Sequence, residues 1–571
     1  MRPTRRTLRS FLTLFLASAT INACGDDDPV GPDPLAAPAT LTVQSVSSTE
    51  IVLVWSAVPG ATSYEVDRST GTGGSFTTIA GSVTGTSLSD AGLAAGTQYS
   101  YRVRAARSSD RGPYSDVESA TTGAAGPKTA NLTGDITASR TLYSDTTYTL
   151  VGFVKVTSGA TLTIQPGTRI VGDYDTPGSS LFVLRGARIV AEGTAAAPIV
   201  FTSERAVGER RPGDWGGLVI IGNGIINRAG TVLSEGPAGV SQNYSGGTDN
   251  NDSSGSLEYV RVEFAGYDVS GGQGQELNSI SMYAVGGGTT MEHVQTLAGL
   301  DDAFEWWGGA VDARYLVSYE TGDDHYDASE GFRGRVQHLI ALGTTVLSTD
   351  PARGEPSSDP RGFEIDGCDG GSTSGCTLGF ASEPYTVPVF ANYTIIGPGV
   401  DGFGASITDG NGTVIRRGAG GTWVNGIVAR WPGYGLSVRD AETDALRAVD
   451  SLIIRNMIFA ENGRGAFEPN SSGRFASSFD VPANSIRTLA DAEPLFIALP
   501  VPGTAPTTGS LDWAPAAGSA AASGGLTDFT PVIAARVQDY FGAPMPATDY
   551  VGAADPDGPK WWAGWTVYAR N

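Results

Sequence analysis

The stretch "GLDDAFEWWGGAVDARYLVSYETGDDHYDASEGF", residues 299–332, states one acidic phrase twice. Asp301-Asp302-Ala303-Phe304-Glu305 returns as Asp323-Asp324-His325-Tyr326-Asp327, an offset of 22 at every position. The strand-like segments beside it keep the same spacing. "TMEHVQTL" (290–297), "DARYLVSY" (312–319) and "GRVQHLIA" (334–341) fall in register, and His293, Tyr315 and His338 are 22 and 23 apart. A period of this size, built from several short strands, fits one lap of a parallel β-helix. Laps would then stack about 4.8 Å apart. Asp323 would lie above Asp301, Asp324 above Asp302 and Asp327 above Glu305, with Phe304 and Tyr326 stacked inside.

The rest of the chain from residue 130 has the same grammar. Runs such as "FVKVTSG", "TLTIQPGTRIVG", "LFVLRGARIVAEG" and "GLVIIGNGIIN" each hold a few β-branched or apolar residues and stop at Gly, Pro or Asn. That punctuation excludes helix and suits short strands. A chain of 571 residues with 78 glycines and only 17% charged residues needs an elongated core rather than one sphere. Turns carry insertions, one example being "VLSEGPAGVSQNYSGGTDNNDSSG" (232–255).

The phrases "GATLTIQPGTRIVG", "GARIVAEGT", "APIVFTS" and "PGDWGGLVIIG" resemble the opening laps of bacterial extracellular right-handed β-helix proteins of the pectate-lyase-like type. The resemblance runs over about residues 130–571. It implies an all-β fold with the helix over 130–525 and a cap over 526–571. Within "LDWAPAAGSAAASGG", Trp513 and Pro515 would cover the last lap. Trp561, Trp562 and Trp565 would belong to the cap, with an exposed sugar-stacking surface as the alternative.

Ahead of this lies a smaller unit. "EIVLVWSAV", "TSYEVDRS" and "YSYRVRAA" alternate as half-buried strands. Residues 38–122 resemble a fibronectin type III domain, with Trp55 as the core Trp, Tyr64 on the next strand, and Leu93 and the corner Tyr99 beyond. Residues 123–129 are a linker. The chain opens with Arg2, Arg5, Arg6 and Arg9 before the apolar "FLTLFLASATINA", the form of an export signal over 1–23. "INAC" resembles a lipobox, with Ile21 and Ala23 in place and Asn22 departing from the usual small residue, which implies lipidation at Cys24. A plain secretory peptide is the alternative. Residues 24–37 then form a polar, Pro-rich tether. In an exported chain, Cys368 and Cys376 closing "CDGGSTSGC" suggest a disulfide.

The acidic strip has three physical readings. Asp301, Asp302, Glu305, Asp323, Asp324 and Asp327 could bind Ca²⁺, which takes six to eight oxygens. The Asp residues could instead cap turns by accepting backbone N–H bonds. Some could serve as general acid and base at a glycosidic bond, or hold a cation that acidifies a sugar carbon. For catalysis the candidate bases are His325, Arg333 and Arg335, with Arg314, Arg361 and His338 nearby in sequence. Serine-hydrolase and zinc-peptidase motifs are absent. Net charge of −23 disfavours nucleic acid as a partner. The leading expectation is an exported lipoprotein at the outer membrane or cell surface that binds or adheres to glycans, held to the membrane by its lipid anchor alone. The alternatives are a polysaccharide lyase or glycosidase and a structural subunit of a surface layer.

Overall fold

The computed structural model describes residues 33–71, 73–123, 129–269, 276–344, 347–368, 375–400 and 409–568. Residues 1–23, read above as an export signal, and Cys24 lie outside them. The chain is all-β and divides into two units, residues 1–126 and 127–571.

The first unit is a sandwich of a three-stranded and a five-stranded antiparallel sheet. Trp55 and Tyr64 meet edge to face at 5.5 Å in its core. Tyr99 takes the corner role: the Ala94 N–H donates to its hydroxyl at 3.0 Å. Buried Tyr101 donates to Asp90, which also accepts from Arg68.

The second unit is a parallel β-helix made of one sixteen-stranded and one ten-stranded sheet. Glu292 pairs with Arg314 and Val294 with Leu316, an offset of 22. Phe304 pairs with Tyr326 and Glu305 with Asp327, also 22. The next lap pairs Ala313 with Val336, an offset of 23. Elsewhere a lap is longer. Ile199 pairs with Val260 and Arg335 with Val389, the extra residues going into turns. Twenty-two residues is thus the bare lap, and insertions lengthen it without moving the strands. Apolar residues alternate inward, so Phe304, Tyr326 and Phe363 stack inside with centroids 5.5 and 5.3 Å apart.

The long strands share one device. Tyr259, His293, Tyr315, His338, Asn392 and Asn425 occupy successive laps at one position, and each has positive φ between 49° and 63°. A left-handed residue breaks the in–out alternation. Met291 and Val294 therefore both point into the core, and His293 points out. Asn and His tolerate this conformation better than most residues. The outward side chains then stack: Tyr259 on His293 at 4.3 Å, His293 on Tyr315 at 4.5 Å and Tyr315 on His338 at 5.1 Å.

The tail does not close the end of the helix. The last strand of the stack is Arg487–Leu489, so the coils finish there rather than at residue 525. The chain beyond runs lengthwise along the corner row as a strap. Leu526 and Gly552 bond Asn425, Trp561 packs on Tyr315, and Trp565 packs on Tyr259 and His293. Trp513, which was expected on the last lap, instead donates to Tyr319 at 2.9 Å. Trp562 and Trp565 are buried, so the tryptophans are packing and not an open sugar platform. The strap covers outward Leu297, Val317, Ile340, Ile396 and Ile427. That is why these strands are apolar on both faces.

Burial under the strap lowers the pKa of His293 and of His338 to about 4. The folded pKa values lie below the unfolded value of 6.5, so their stabilisation is full above pH 6.5 and is lost as pH falls toward 4. Thermal melts should therefore show the double variant His293→Asn, His338→Asn gaining on wild type between pH 6.5 and 4.5, by about 2 kcal/mol for each histidine at most. Parallel pH profiles would exclude this account.

Candidate metal centre

The two acidic phrases occupy the turns and short strands of the ten-stranded sheet. Phe304–Trp307, Tyr326–Ser329 and Phe363–Asp366 lie side by side. Phe304, Tyr326 and Phe363 point in, so Glu305, Asp327 and Glu364 point out in a row. Asp301, Asp302, Asp323 and Asp324 sit in the turns just before these strands. The structure brings all six sequence-derived acids together. Carboxylate oxygens of Asp301, Asp302 and Asp323 lie within 4.8 Å of one another. The same holds for Asp302, Glu305 and Asp327, and for Asp324, Asp327 and Glu364.

Turn capping accounts for part of this set. The Asp302 N–H donates to Asn278 Oδ1 at 3.0 Å, the Asp324 N–H to Asp302 Oδ1 at 2.8 Å and the Arg361 N–H to Asp324 Oδ1 at 2.5 Å. One lap thus caps the next through Asn278, Asp302 and Asp324. Among the described residues, Asp301, Asp323 and Asp327 accept no such bonds. Asp323 Oδ1 and Asp327 Oδ1 are buried without a hydrogen-bond partner among the described residues.

Charge is compensated at one end only. Arg361 is 3.4 Å from Asp324 and also pairs with Glu364 and Asp359. Arg416 pairs with Glu364 and Asp366, and Arg417 with Asp366. Among the described residues no Lys or Arg forms an ion pair with Asp301, Asp302, Glu305, Asp323 or Asp327. Two carboxylates 4.8 Å apart repel by ~3 kcal/mol at an effective dielectric of ~20. Burial, then the neighbouring acids, push all five well above the usual carboxylate range. Burial also raises Asp324 to about 6, against the pull of Arg361.

A seventh acid, which the repeat does not announce, comes from the insertion after the Gly217–Ile221 strand. Residues 226–244 fold back over the outer face of the sheet, where Ile226, Val232 and Tyr244 pack on Val219, Tyr283 and Trp307. Tyr283 stacks on Trp307 at 4.0 Å. Arg228 and the Tyr244 hydroxyl both bond Glu330 and pin the insertion down. Glu235 is thereby set beside the strip. Its Oε2 accepts from Asn278 at 3.1 Å and from Tyr283 at 3.2 Å, while Asn278 also donates to Glu305 at 2.6 Å. Burial and the charges of Glu276 and Asp327 raise Glu235 from 4.5 to about 8. Cys368 and Cys376 are disulfide-bonded, with Cα atoms 5.7 Å apart. Gly375 in that loop accepts from the Ala229 N–H, holding the base of the insertion.

The suggested catalytic bases do not join this centre. His325 is buried on the other side of the strand, 2.6 Å from Ser318 Oγ and against the edge of Trp431. Burial lowers its pKa to about 3. Arg333 is exposed and reaches the Tyr385 carbonyl. Arg335 is held by both oxygens of Asp312. It lines a surface cavity of about 450 Å³, and another of about 540 Å³ lies beside Arg447 and Phe479. Neither cavity touches a carboxylate of the strip.

The donor set fits a hard divalent cation. It offers only oxygens, in overlapping groups of three, with an uncompensated charge and two unpartnered buried oxygens, whereas Zn²⁺ would favour nitrogen or sulfur.

With fold and site in place, the relatives can be set beside them. A family model described as "Pectate-lyase like beta helix domain" matches residues 134–485, more than half of the chain. The chain belongs to this family. A fibronectin type III model matches residues 36–121. A solved Fn3-like protein from Clostridium thermocellum is 40% identical over 15% of this chain and 90% of its own, with a TM-score of 0.14. The FN5 domain of Drosophila Lar is 21% identical over 16% of this chain and 97% of its own, with a TM-score of 0.14. No curated protein matches the chain.

Glu235 provides a pH signature. Its folded pKa exceeds the unfolded one, so its contribution is full below about pH 4.5 and is lost as pH rises toward 8. In the presence of chelator, wild type should lose stability from pH 5 to 8. Glu235→Gln should flatten that slope by up to ~1.4 kcal/mol per pH unit. Identical slopes in calorimetric melts would show that the insertion does not deliver this charge.

Proposed function

We propose that this is an exported surface protein whose β-helix is loaded with Ca²⁺ and binds glycans without turning them over. The observation carrying the metal reading is the pair of unpartnered buried oxygens on Asp323 and Asp327, set among acids with no paired cation. Asp301, Asp302 and Asp323 would hold one ion, with Asp302, Glu305 and Asp327 as a second, overlapping donor set. The ion would supply the positive charge that Arg361 and Arg416 supply one lap further on. It would join consecutive laps to each other and, through Asn278, to the insertion.

The binding reading rests on what surrounds the strip. The insertion sets Glu235 beside the strip, His325 turns away from the acids, and neither surface cavity described above brings a base to a carboxylate of the strip. A solenoid with long flat faces and a fibronectin type III module ahead of it suits presentation of a surface to a polymer. Lipidation at Cys24 would hold the molecule at the outer membrane or cell surface. Mass spectrometry of the mature N-terminus, reading a diacylglyceryl adduct on that cysteine, tests the anchor.

Calcium should raise the melting temperature of wild type. At one hundred times Kd the gain is about 2.7 kcal/mol. Asp301→Asn with Asp323→Asn should abolish that gain and leave the melt in chelator unchanged or higher, because a repulsion has been removed. Equal melting with and without Ca²⁺ in wild type would overturn the metal reading. On glycan arrays the loaded protein should retain ligand without forming product. An unsaturated, ultraviolet-absorbing product would replace binding by a lyase activity.

A further inference from the structure

A second charged cluster, of opposite sign, lies on the sixteen-stranded sheet. Arg169 opens the strand Arg169–Gly172, Arg261 lies on Gly255–Glu263, and Arg210 comes from the turn after Ile199–Ser203. The three guanidinium groups line one cavity of about 180 Å³. Its other walls include Val207, Phe264 and Leu297. At ~30 Å³ of liquid per water, it holds the volume of about six waters. Among the described residues Glu263 is the only acid in the lining, and it already pairs with Arg261 at 3.0 Å. Two positive charges are left over, on a chain whose net charge is −23.

The three arginines are engaged unequally. Arg261 donates to the Trp565 carbonyl at 3.0 Å as well as to Glu263, so it ties down the strap. Arg210 Nε donates to the Arg205 carbonyl at 3.0 Å, which orients its fork. The Arg169 guanidinium makes no hydrogen bond or ion pair among the described residues. Burial, then the neighbouring Arg210, hold it below its ordinary pKa. Like charges gathered in a partly dry hollow cost free energy unless something negative joins them. Forked donors match the two-oxygen edge of a carboxylate or sulfate. The apolar wall of Val207, Phe264 and Leu297 suits the C–H face of a sugar ring.

We propose that this cavity binds one oxoanion group of an acidic saccharide, a uronate carboxylate or a sulfate ester, with Arg169 and Arg210 as its principal contacts. This deepens the glycan-binding reading and rests on it. The site is remote in sequence from the acidic strip and makes no use of the cation.

Titration calorimetry on the Ca²⁺-loaded mature chain tests the assignment. The probes are an oligogalacturonate, a sulfated oligosaccharide and a neutral oligosaccharide of equal length, and inorganic sulfate. At least one charged oligosaccharide should bind, the neutral one should not, and added salt should weaken the complex. Arg169→Gln should weaken binding about tenfold or more with a melting temperature unchanged or higher, because a repulsion is removed and that guanidinium has no bonded partner among the described residues. Arg210→Gln should act in the same direction and serves as the check if Arg169→Gln folds poorly. A saccharide that binds wild type and both variants equally overturns this inference and leaves the glycan reading standing. Arginine-dependent binding of sulfate with no saccharide bound overturns the saccharide assignment and the glycan reading together. Binding of no probe at all also overturns both.

Discussion

A parallel solenoid in register places each side chain on top of its counterpart in the next lap, about 4.8 Å away. Apolar and aromatic residues gain from that repetition, as Phe304, Tyr326 and Phe363 do inside the coil. Charged residues are penalised by it. The molecule resolves this conflict differently on each side. Along the left-handed corner it stacks neutral rings and amides. At Glu364 and Asp366 it places arginines against the acids. Over Asp301, Asp302, Glu305, Asp323 and Asp327 it places none. The strip differs from ordinary surface acidity because its acids are close, largely buried and without an ion-paired Lys or Arg among the described residues, Arg361 and Arg416 acting on Asp323 and Asp327 only from a distance.

The offset of 22 made the vertical pairs legible before any coordinate, because strand register in a solenoid is a direct function of residue count. Asp301 over Asp323 and Phe304 over Tyr326 needed nothing else. The division into sandwich and helix was equally readable, since Trp55, Tyr64 and Tyr99 have a fixed spacing. Residues outside the period left no such trace. Glu235 sits in an insertion whose fold-back is decided by Tyr244 and Val232 finding the outer face of the sheet, a tertiary event without local signature. His325 was misplaced for a related reason. Membership in the acidic phrase says nothing about which way its side chain turns, and the turn before Tyr326 breaks the alternation and sends it inward to Ser318 and Trp431.

The tail was misread in a way that follows from composition. Clustered Trp and Gly signal a covering element but do not say what is covered. An end cap and a lengthwise strap would bury the same residues. What distinguishes them is the second apolar face of the long strands, with Leu297, Val317, Ile340 and Ile427 pointing away from the core. A β-helix with an outward hydrophobic stripe needs a lengthwise cover, and that stripe is visible in the sequence once the left-handed corner is known.

The strap also sets an order of events for the chain. Arg261 and the Trp565 carbonyl are 304 residues apart when they meet, and the groove that receives the tail is built from laps near Tyr259 through Asn425. Coils can accrete one on another as the polypeptide emerges, each needing only its predecessor as template. The seam cannot zip until the segment bearing Trp561 and Trp565 is delivered, so a chain stalled before that point displays an unsealed greasy furrow along its flank.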